Sequence, residues 1–424
     1  MMAESILLTW TRDGGTHDLA TYRARGGYEA ARRVALGEVP PDSVIDILVQ
    51  SGLRGKGGAG FPTGQKWKFI PRGAPVKYVV VNGDEGEPGT FKDRTLVEGC
   101  PHLLLEGLII ASVTVGAKKA YIYLRKEFYQ GRRVLDDALA QAQAAGFVGQ
   151  RIFGGPHTVD IVVHSGAGAY IAGEESALLE SLEGRRAMPR LRPPFPAQAG
   201  LYQQPTLLNN VETLCHVPAI LTLGPERYKE LGPPALFSVS GHVVTPGVYE
   251  LPLGMTLRDM IFTHAGGLRA GRRFKAAFPG GSSSMLVTED QLDVRMDYDS
   301  LRVAGTMLGS AAVVVLDDTA DIVEVMARHV EFYREESCGK CTPCREGTVW
   351  IGQVFERILH GRGRAADLAL LESVAKGMTG TCFCPLGESV PPSLVASLRH
   401  FRGEYEAHIG RAAQGAAGGS AHGH

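Results

Sequence analysis

The sequence predicts an α/β fold over its first half, followed by a small α+β module and a helical C-terminal third. Three observations predict it. β-branched runs alternate with helical patterns as far as about residue 220. Short strands around Pro246 and Gly247 replace that texture past Pro225. Apolar residues then recur at helical spacing from Ile322 onward. At 424 residues the chain has room for two or three domains of roughly 150 residues. Expected boundaries are 1–230 for the α/β part, 235–318 for the module and 319–411 for the helical part. Residues 412–424, rich in Gly, Ala and Ser, are expected to be a disordered tail, and His422 and His424 there are a weak metal signal.

Taken in order, Asp42 is a candidate cap for a helix whose apolar face is Val44, Ile45, Ile47, Leu48 and Val49, ending at Ser51-Gly52. Val76 to Val81 reads as a buried strand, Leu103 to Ser112 as a helix, and Ala120 to Leu124 as a strand. Arg132 to Ala145 reads as an Ala-rich helix and Asp160 to His164 as a strand. In the module, Phe237 to Gly241, Gly247 to Leu251 and Ala311 to Leu316 are strands, with a helical stretch from Leu257 to Thr263. Thr319 is a candidate cap for the helix carrying Ile322, Val323, Val325, Met326, Val330 and Phe332; Val349 to Leu359 and Leu368 to Val374 are helical too.

Composition excludes several functions. With 44 Lys and Arg against 45 Asp and Glu, the net charge is -1, so no global positive field draws nucleic acid or anionic lipid. No run reaches the roughly 18 apolar residues of a membrane span, since Leu103 to Val115 is broken by Glu106 and Gly107. Met1 to Gly14 lacks the basic start and long apolar stretch of a signal peptide, so a cytoplasmic location is expected. Five of the seven cysteines fall between Cys338 and Cys384, which suits a metal centre in a reducing compartment rather than a disulfide framework. Cys100 and Cys215 stand alone and read as buried small hydrophobes.

Cys338, Cys341 and Cys344 are spaced three apart, and Cys384-Pro385 follows 40 positions after Cys344. Three thiolates on one turn plus a remote fourth form the all-thiolate shell of an iron-sulfur cluster, and the spacing favours 4Fe-4S over 2Fe-2S. A structural zinc usually shows two separated CxxC pairs. Cys382 and Cys384 both compete for the fourth place, and the Cys-Pro step favours Cys384.

Glycines, 54 in all, concentrate in loops. Gly55, Gly57 and Gly60 match G-x-G-x-x-G literally, but a helix precedes them and a strand follows, the reverse of a Rossmann turn. Their backbone N–H groups can still approach a ring or a phosphate, with Lys56 and Lys66 for charge. Asn82 to Gly89 is an acidic loop at a strand's carboxyl end, a solvated turn or a metal site by composition alone. Gly166 to Tyr170 follows another strand and leads through Gly173-Glu174-Glu175 to a helix from Ser176, whose N-terminus suits an anion, although the two glutamates resist one. Nucleotide-type loops and a cluster on one chain imply that two-electron chemistry meets one-electron chemistry, for which a flavin is the usual converter.

Together these segments resemble the flavoprotein subunit of the NADH dehydrogenase module of respiratory complex I, NADH:quinone oxidoreductase, from about Gly27 to His408. The resemblance runs through Ser51 to Gly64, Asn82 to Arg94, Gly166 to Glu175, Pro193 to Ala197, Asn209 to Thr213 and Glu336 to Gly347. It implies a Rossmann-like flavin domain, a β-grasp, SLBB-like module and a C-terminal helical bundle holding a 4Fe-4S cluster. Carried over, Gly55, Lys56, Gly57, Lys66, Asn82, Asp84, Glu85, Gly86, Tyr170, Gly173, Glu174, Glu175, Asn209, Asn210 and Thr213 would contact FMN. Gly58, Ala59, Phe61, Lys66, Phe69, Glu87, Glu175 and Phe195 would contact NADH, the three phenylalanines stacking on adenine. Cys338, Cys341, Cys344 and Cys384 match the cluster ligands. Lys56 stands where the family usually has Arg, Ala172 where it often has Cys, and Gly83 where it often has Ala.

The activity implied is NADH oxidation by direct hydride transfer to FMN, then single-electron transfer to the cluster, with no side chain bonded covalently. Glu87 would lie near the nicotinamide, and with Glu175 would repel a 2′-phosphate, giving NADH over NADPH. The implied partners are a thioredoxin-like 2Fe-2S subunit and a large multi-cluster iron-sulfur subunit, with this chain peripheral on the cytoplasmic side of the membrane. Two competitors are a diaphorase subunit of a soluble NAD-linked hydrogenase or formate dehydrogenase, and a zinc-holding assembly protein without catalysis.

Overall fold

The computed structural model describes residues 5–12 and 14–409, so the expected tail lies outside the described residues. The chain forms two compact units: residues 1–238, 247–255 and 309–311, and residues 239–246, 256–308 and 312–424.

The first unit is built on β1 (Tyr78–Gly83), β2 (Lys119–Leu124), β3 (Asp160–Ser165) and β4 (Thr206–Asn210). All pairings are parallel and the order is β3-β2-β1-β4. Val79, Val80 and Val81 are wholly buried, as a central strand covered on both faces requires. The sequence places no strand at β4. Its five residues end in two asparagines, which strands disfavour, and the helix Val211–Leu223 starts at once, capped by the Asn210 side chain. Pairing with β1 decides the matter, and its consequence is topological. From β1 the sheet grows through β2 on one side, while β4 lies on the other, so the carboxyl ends of β1 and β4 form a switch point, where open α/β sheets bind ligands.

The helix Pro101–Val115 is buried at every residue, which explains its all-round apolar sequence; Pro101 opens it and left-handed Gly116 closes it. It packs on Val211–Leu223 so tightly that a Cβ at Gly107 would overlap the Leu214 carbonyl oxygen, with the carbonyl carbon at 2.8 Å. Backbone cannot yield as a side chain does. Gly107→Ala is therefore expected to cost about 3 kcal/mol, the upper end for overpacking, read as a lower urea midpoint with unchanged slope.

Two expected caps are corrected. Pro40 precedes the helix Pro41–Ser51, with Asp42 inside its first turn. Asp321 caps the helix Ile322–Glu336 by accepting from Val323 and Glu324 N–H, while Thr319 bonds Asp317 instead.

Four further strands follow along the chain: β5 (Pro234–Gly241), β6 (Gly247–Pro252), β7 (Phe274–Phe278) and β8 (Ala312–Asp317). In the second unit β7 runs antiparallel to β8, and the helical stretch expected from Leu257 is one α-turn running into a π-turn, Met260–His264. The helices Ile322–Glu336, Thr342–Leu359, Ala365–Met378 and Val390–His400 pack in a closed cycle, the first against the second and fourth, and the third against the same two.

Among the described residues no single helix is long and apolar enough to cross a membrane. The bent pair Lys92–Gly99 and Pro101–Val115 passes by length and composition, but its second member is core and its first buries Lys92 and Asp93.

Candidate functional site

Four segments meet at the switch point. Asn82, near the end of β1, pairs in register with Asn210 of β4. The Asn82 amide donates to the Gly173 carbonyl at 2.8 Å and its oxygen accepts from Asp84 N–H at 3.0 Å, joining the acidic loop to the 170–175 turn. The Asn209 oxygen accepts from the buried Trp67 indole at 3.0 Å. Thr213, in the first turn of Val211–Leu223, accepts from Lys56 N–H at 2.9 Å, which lays the glycine loop over the end of β4.

That loop stands between the helices Pro41–Ser51 and Thr63–Lys68, before β1, so it is not a Rossmann turn. It is closed at its neck by Gly55 N–H on Phe61 and Thr63 N–H on Leu53, both 2.8 Å, and by Arg54 on the Gly60 carbonyl at 2.7 Å. Gly58 has φ of +116°, which side-chain-bearing residues rarely adopt, and a Cβ at Gly57 would come within 3.1 Å of Asn210 Cβ. A Cβ at Gly86 would reach 2.9 Å from the Tyr170 ring, and one at Gly173 3.2 Å from the Asp84 carbonyl. A cradle of bare backbone and three asparagine amides suits a flat heteroaromatic ring with hydrogen-bonding edges, and the residues present fit FMN.

Several expected contacts have other employment. The Lys56 ammonium is buried on the Pro234 carbonyl at 3.0 Å, and burial pushes its pKa down to about 8; it turns away from the loop and supplies no charge there. Glu85 accepts from Asp93 and Arg94 N–H at 2.8 and 3.0 Å, capping the helix Lys92–Gly99, and burial reinforced by the charge of Asp93 pushes it up to about 8. Glu174 caps the helix Glu175–Leu182 through Ser176 and Ala177 N–H, so the chain's own carboxylate takes the place that an anion would have at that N-terminus.

Around the rim, the Tyr170 hydroxyl donates to Glu87. Glu175 meets Lys66 at 3.3 Å and Arg192 at 3.0 Å, and Arg192 is 3.6 Å from Glu174. Phe61, Phe69 and Phe195 are 46%, 51% and 53% exposed, and the first two rings stand 6.0 Å apart. Half-exposed aromatic faces of this kind suit a stacked base.

Missed from sequence is the charge cluster behind the asparagines. Lys92 is 2.9 Å from Asp93 and 2.7 Å from Glu212, with all three side chains 0–5% exposed. Its signal was faint: a Lys-Asp pair and a lone Glu, 119 positions apart, that only the fold brings together.

In the second unit, Cys341 stands just ahead of the helix Thr342–Leu359 and Cys344 lies buried in its first turn, 3.2 Å from the Ser337 hydroxyl. Phe383 N–H donates to Cys341 Sγ at 3.4 Å, and Lys340 sits 4.3 Å over the Phe383 ring, so the 338–344 and 382–384 segments lie together. Cys384 stands in extended conformation ahead of Pro385–Glu388. Cys382 turns to the Met378 carbonyl at 3.5 Å, and a Cβ at Gly387 would lie 2.6 Å from its sulfur and 2.9 Å from Cys344 Cβ. Among the described residues no three His, Cys, Asp or Glu side chains converge on a single-ion position. A cluster takes thiolates on separate irons, and the donors that these two segments bring together are thiolates.

The chain matches the Nuo51 FMN-binding domain over residues 48–219, an SLBB domain over 235–323, and the NADH-ubiquinone oxidoreductase-F iron-sulfur binding region over 324–408. It is 50% identical to an F-type NADH-quinone oxidoreductase subunit of Rhizobium meliloti (strain 1021), covering 96% of this chain and 98% of that one. It is 49% identical to the F-type NADH-quinone oxidoreductase subunit of Mycobacterium tuberculosis H37Rv, over 92% and 90%. Among solved structures it resembles an NAD+-reducing [NiFe]-hydrogenase in the H2-reduced state, at TM-score 0.81 and 37% identity, covering 96% of this chain and 67% of the other.

Proposed function

We propose, from the premise that this chain belongs to the family of F-type NADH-quinone oxidoreductase subunits, that it is the electron-input subunit of such a complex, an NADH dehydrogenase with FMN and a 4Fe-4S cluster. The observation that carries the reading is the bare-backbone cradle at the β1/β4 switch point, on the same chain as a two-segment cysteine set. When bound, FMN exchanges one hydride for two single electrons, which the cluster carries onward.

The chain's part is positional. Gly55, Gly57, Asn82, Asn209, Asn210 and Thr213 hold the flavin; Phe61, Phe69 and Phe195 receive the adenine; Cys338, Cys341, Cys344 and Cys384 take the cluster. Lys66 and Arg192, the cations that would greet a 2′-phosphate, are already held by Glu175, which supports NADH over NADPH. Electrons then leave to a thioredoxin-like 2Fe-2S subunit and a large multi-cluster subunit, with this chain peripheral on the cytoplasmic side of the membrane. The division into 1–230, 235–318 and 319–411 belongs to the same proposal. A hydrogenase diaphorase is the second reading, favoured by the hydrogenase likeness. The higher identity to the F-type chains, over nearly their whole length, favours the first.

The test is anaerobic. The purified chain is expected to show flavin absorbance that bleaches with NADH and far less with NADPH, and a 4Fe-4S EPR signal on reduction. A colourless protein that holds zinc after reconstitution with FMN, iron and sulfide would end this reading.

A further inference from the structure

Asp93 is the hub of the buried cluster behind the flavin site. One oxygen accepts from the Asn210 amide nitrogen at 2.5 Å; the other accepts from Lys92 Nζ at 2.9 Å and from Glu212 N–H at 3.3 Å. Glu212 in turn takes Lys92 at 2.7 Å and Leu236 N–H at 2.9 Å, beside His216 at 3.5 Å. With its nitrogen committed to Asp93, the Asn210 amide can only present its oxygen to Thr213 N–H, at 3.3 Å, and so cannot flip. Thr213 holds the glycine loop through Lys56 N–H. One continuous set of contacts therefore runs from three buried charges to Asn210 at the end of β4 and to the glycine loop over it.

Stability alone gives little reason for such a cluster, because a well-packed apolar set of similar volume often does as well or better. Fixing a geometry is a better-attested use, and the geometry fixed here is that of Asn210 and of the loop over it.

We propose that Lys92, Asp93 and Glu212 are positioning residues for the flavin site, holding the Asn210 amide and the glycine loop in the one arrangement that binds the ring. The inference rests on the function proposed above. All three act through Asn210 and Thr213.

The experiment uses the full chain, with FMN affinity from fluorescence titration, the flavin midpoint potential and the melting temperature measured together. Asp93→Asn keeps the shape and removes the charge that holds Lys92 and Asn210. It is expected to weaken FMN about tenfold or more, as small misplacements in a preorganised site do, and to shift the potential. Glu106→Gln is the matched control, since Glu106 is equally buried in the same unit and accepts from Tyr22, Tyr28 and Ala31. It is expected to lower the melting temperature while affinity and potential stay at wild type. Should Asp93→Asn give no soluble chain, Asp93→Glu keeps the charge but displaces it by one methylene, and the same two readouts are expected to move in the same direction. Affinity and potential unchanged in the Asp93 variants, or lost equally in Glu106→Gln, would overturn the positioning role. A wild-type chain that binds no FMN would instead overturn the functional reading beneath it.

Discussion

Lys92→Met is expected to destabilise the first unit by about 3–5 kcal/mol, the usual result of removing one partner from a buried ion pair. Two carboxylates, Asp93 and Glu212, would be left in the core without the ammonium that lies 2.9 and 2.7 Å from them. The pH dependence carries a sign. Burial alone would raise Glu212, but Lys92, helped by His216 and Lys56, outweighs it and holds the group down at about 2 against an ordinary 4.5. A carboxylate depressed in the folded state stabilises it above the unfolded value, and that contribution is lost as pH falls from 4.5 toward 2. Remove Lys92 and desolvation governs, so folding becomes less favourable as the carboxylates ionise with rising pH. The urea midpoint of Lys92→Met should therefore fall further behind wild type on going from about pH 4 to pH 8. A gap of constant width across that range would show that lost packing, not lost charge compensation, is what the substitution removes.

Cys384→Ser is expected to abolish the 4Fe-4S EPR signal and most of the iron content, whereas Cys382→Ser retains both. Spacing leaves the two cysteines in competition, and the Cys-Pro step favours Cys384. Cys382 is packed against Gly387 and turned to the Met378 carbonyl, with its N–H held by Glu388 at 2.9 Å. Cys384 stands in extended backbone at the start of Pro385–Glu388, two residues along from that packing. An iron-sulfur cluster needs four ligands, so losing the true fourth is not a graded effect. If the outcomes of the two serine variants were exchanged, Cys382 would be the ligand. If both retained the signal, the ligands would be interchangeable.

What could be read from the chain was whatever lies close together along it. Three of the four parallel strands, the glycine loop's departure from a Rossmann turn, and the cysteine spacing are local patterns. β4 was not legible, because Thr-Leu-Leu-Asn-Asn acquires strand character only by pairing with β1. The direction of a long side chain was illegible too: Lys56 beside three glycines looks like a phosphate contact, yet its ammonium ends on Pro234, 178 positions away. Glu85 and Glu174 look like ligand carboxylates in an acidic loop and a glycine turn, and each instead caps a helix. Thr319 reads as a cap by residue type, but Asp321 holds that place, and only the backbone shows where the first turn begins.

The neck of the glycine loop has a kinetic consequence. Lys56 to Gly60 is anchored at Gly55, Thr63 and Arg54, and once more where Lys56 N–H meets Thr213. Ordering a slack loop of five residues would cost roughly 1–2 kcal/mol per residue at each binding event. Here that entropy is surrendered once, during folding, and not at every catalytic cycle. A nucleotide bound as proposed would meet a surface that is already formed, so none of its binding energy would go to ordering this loop.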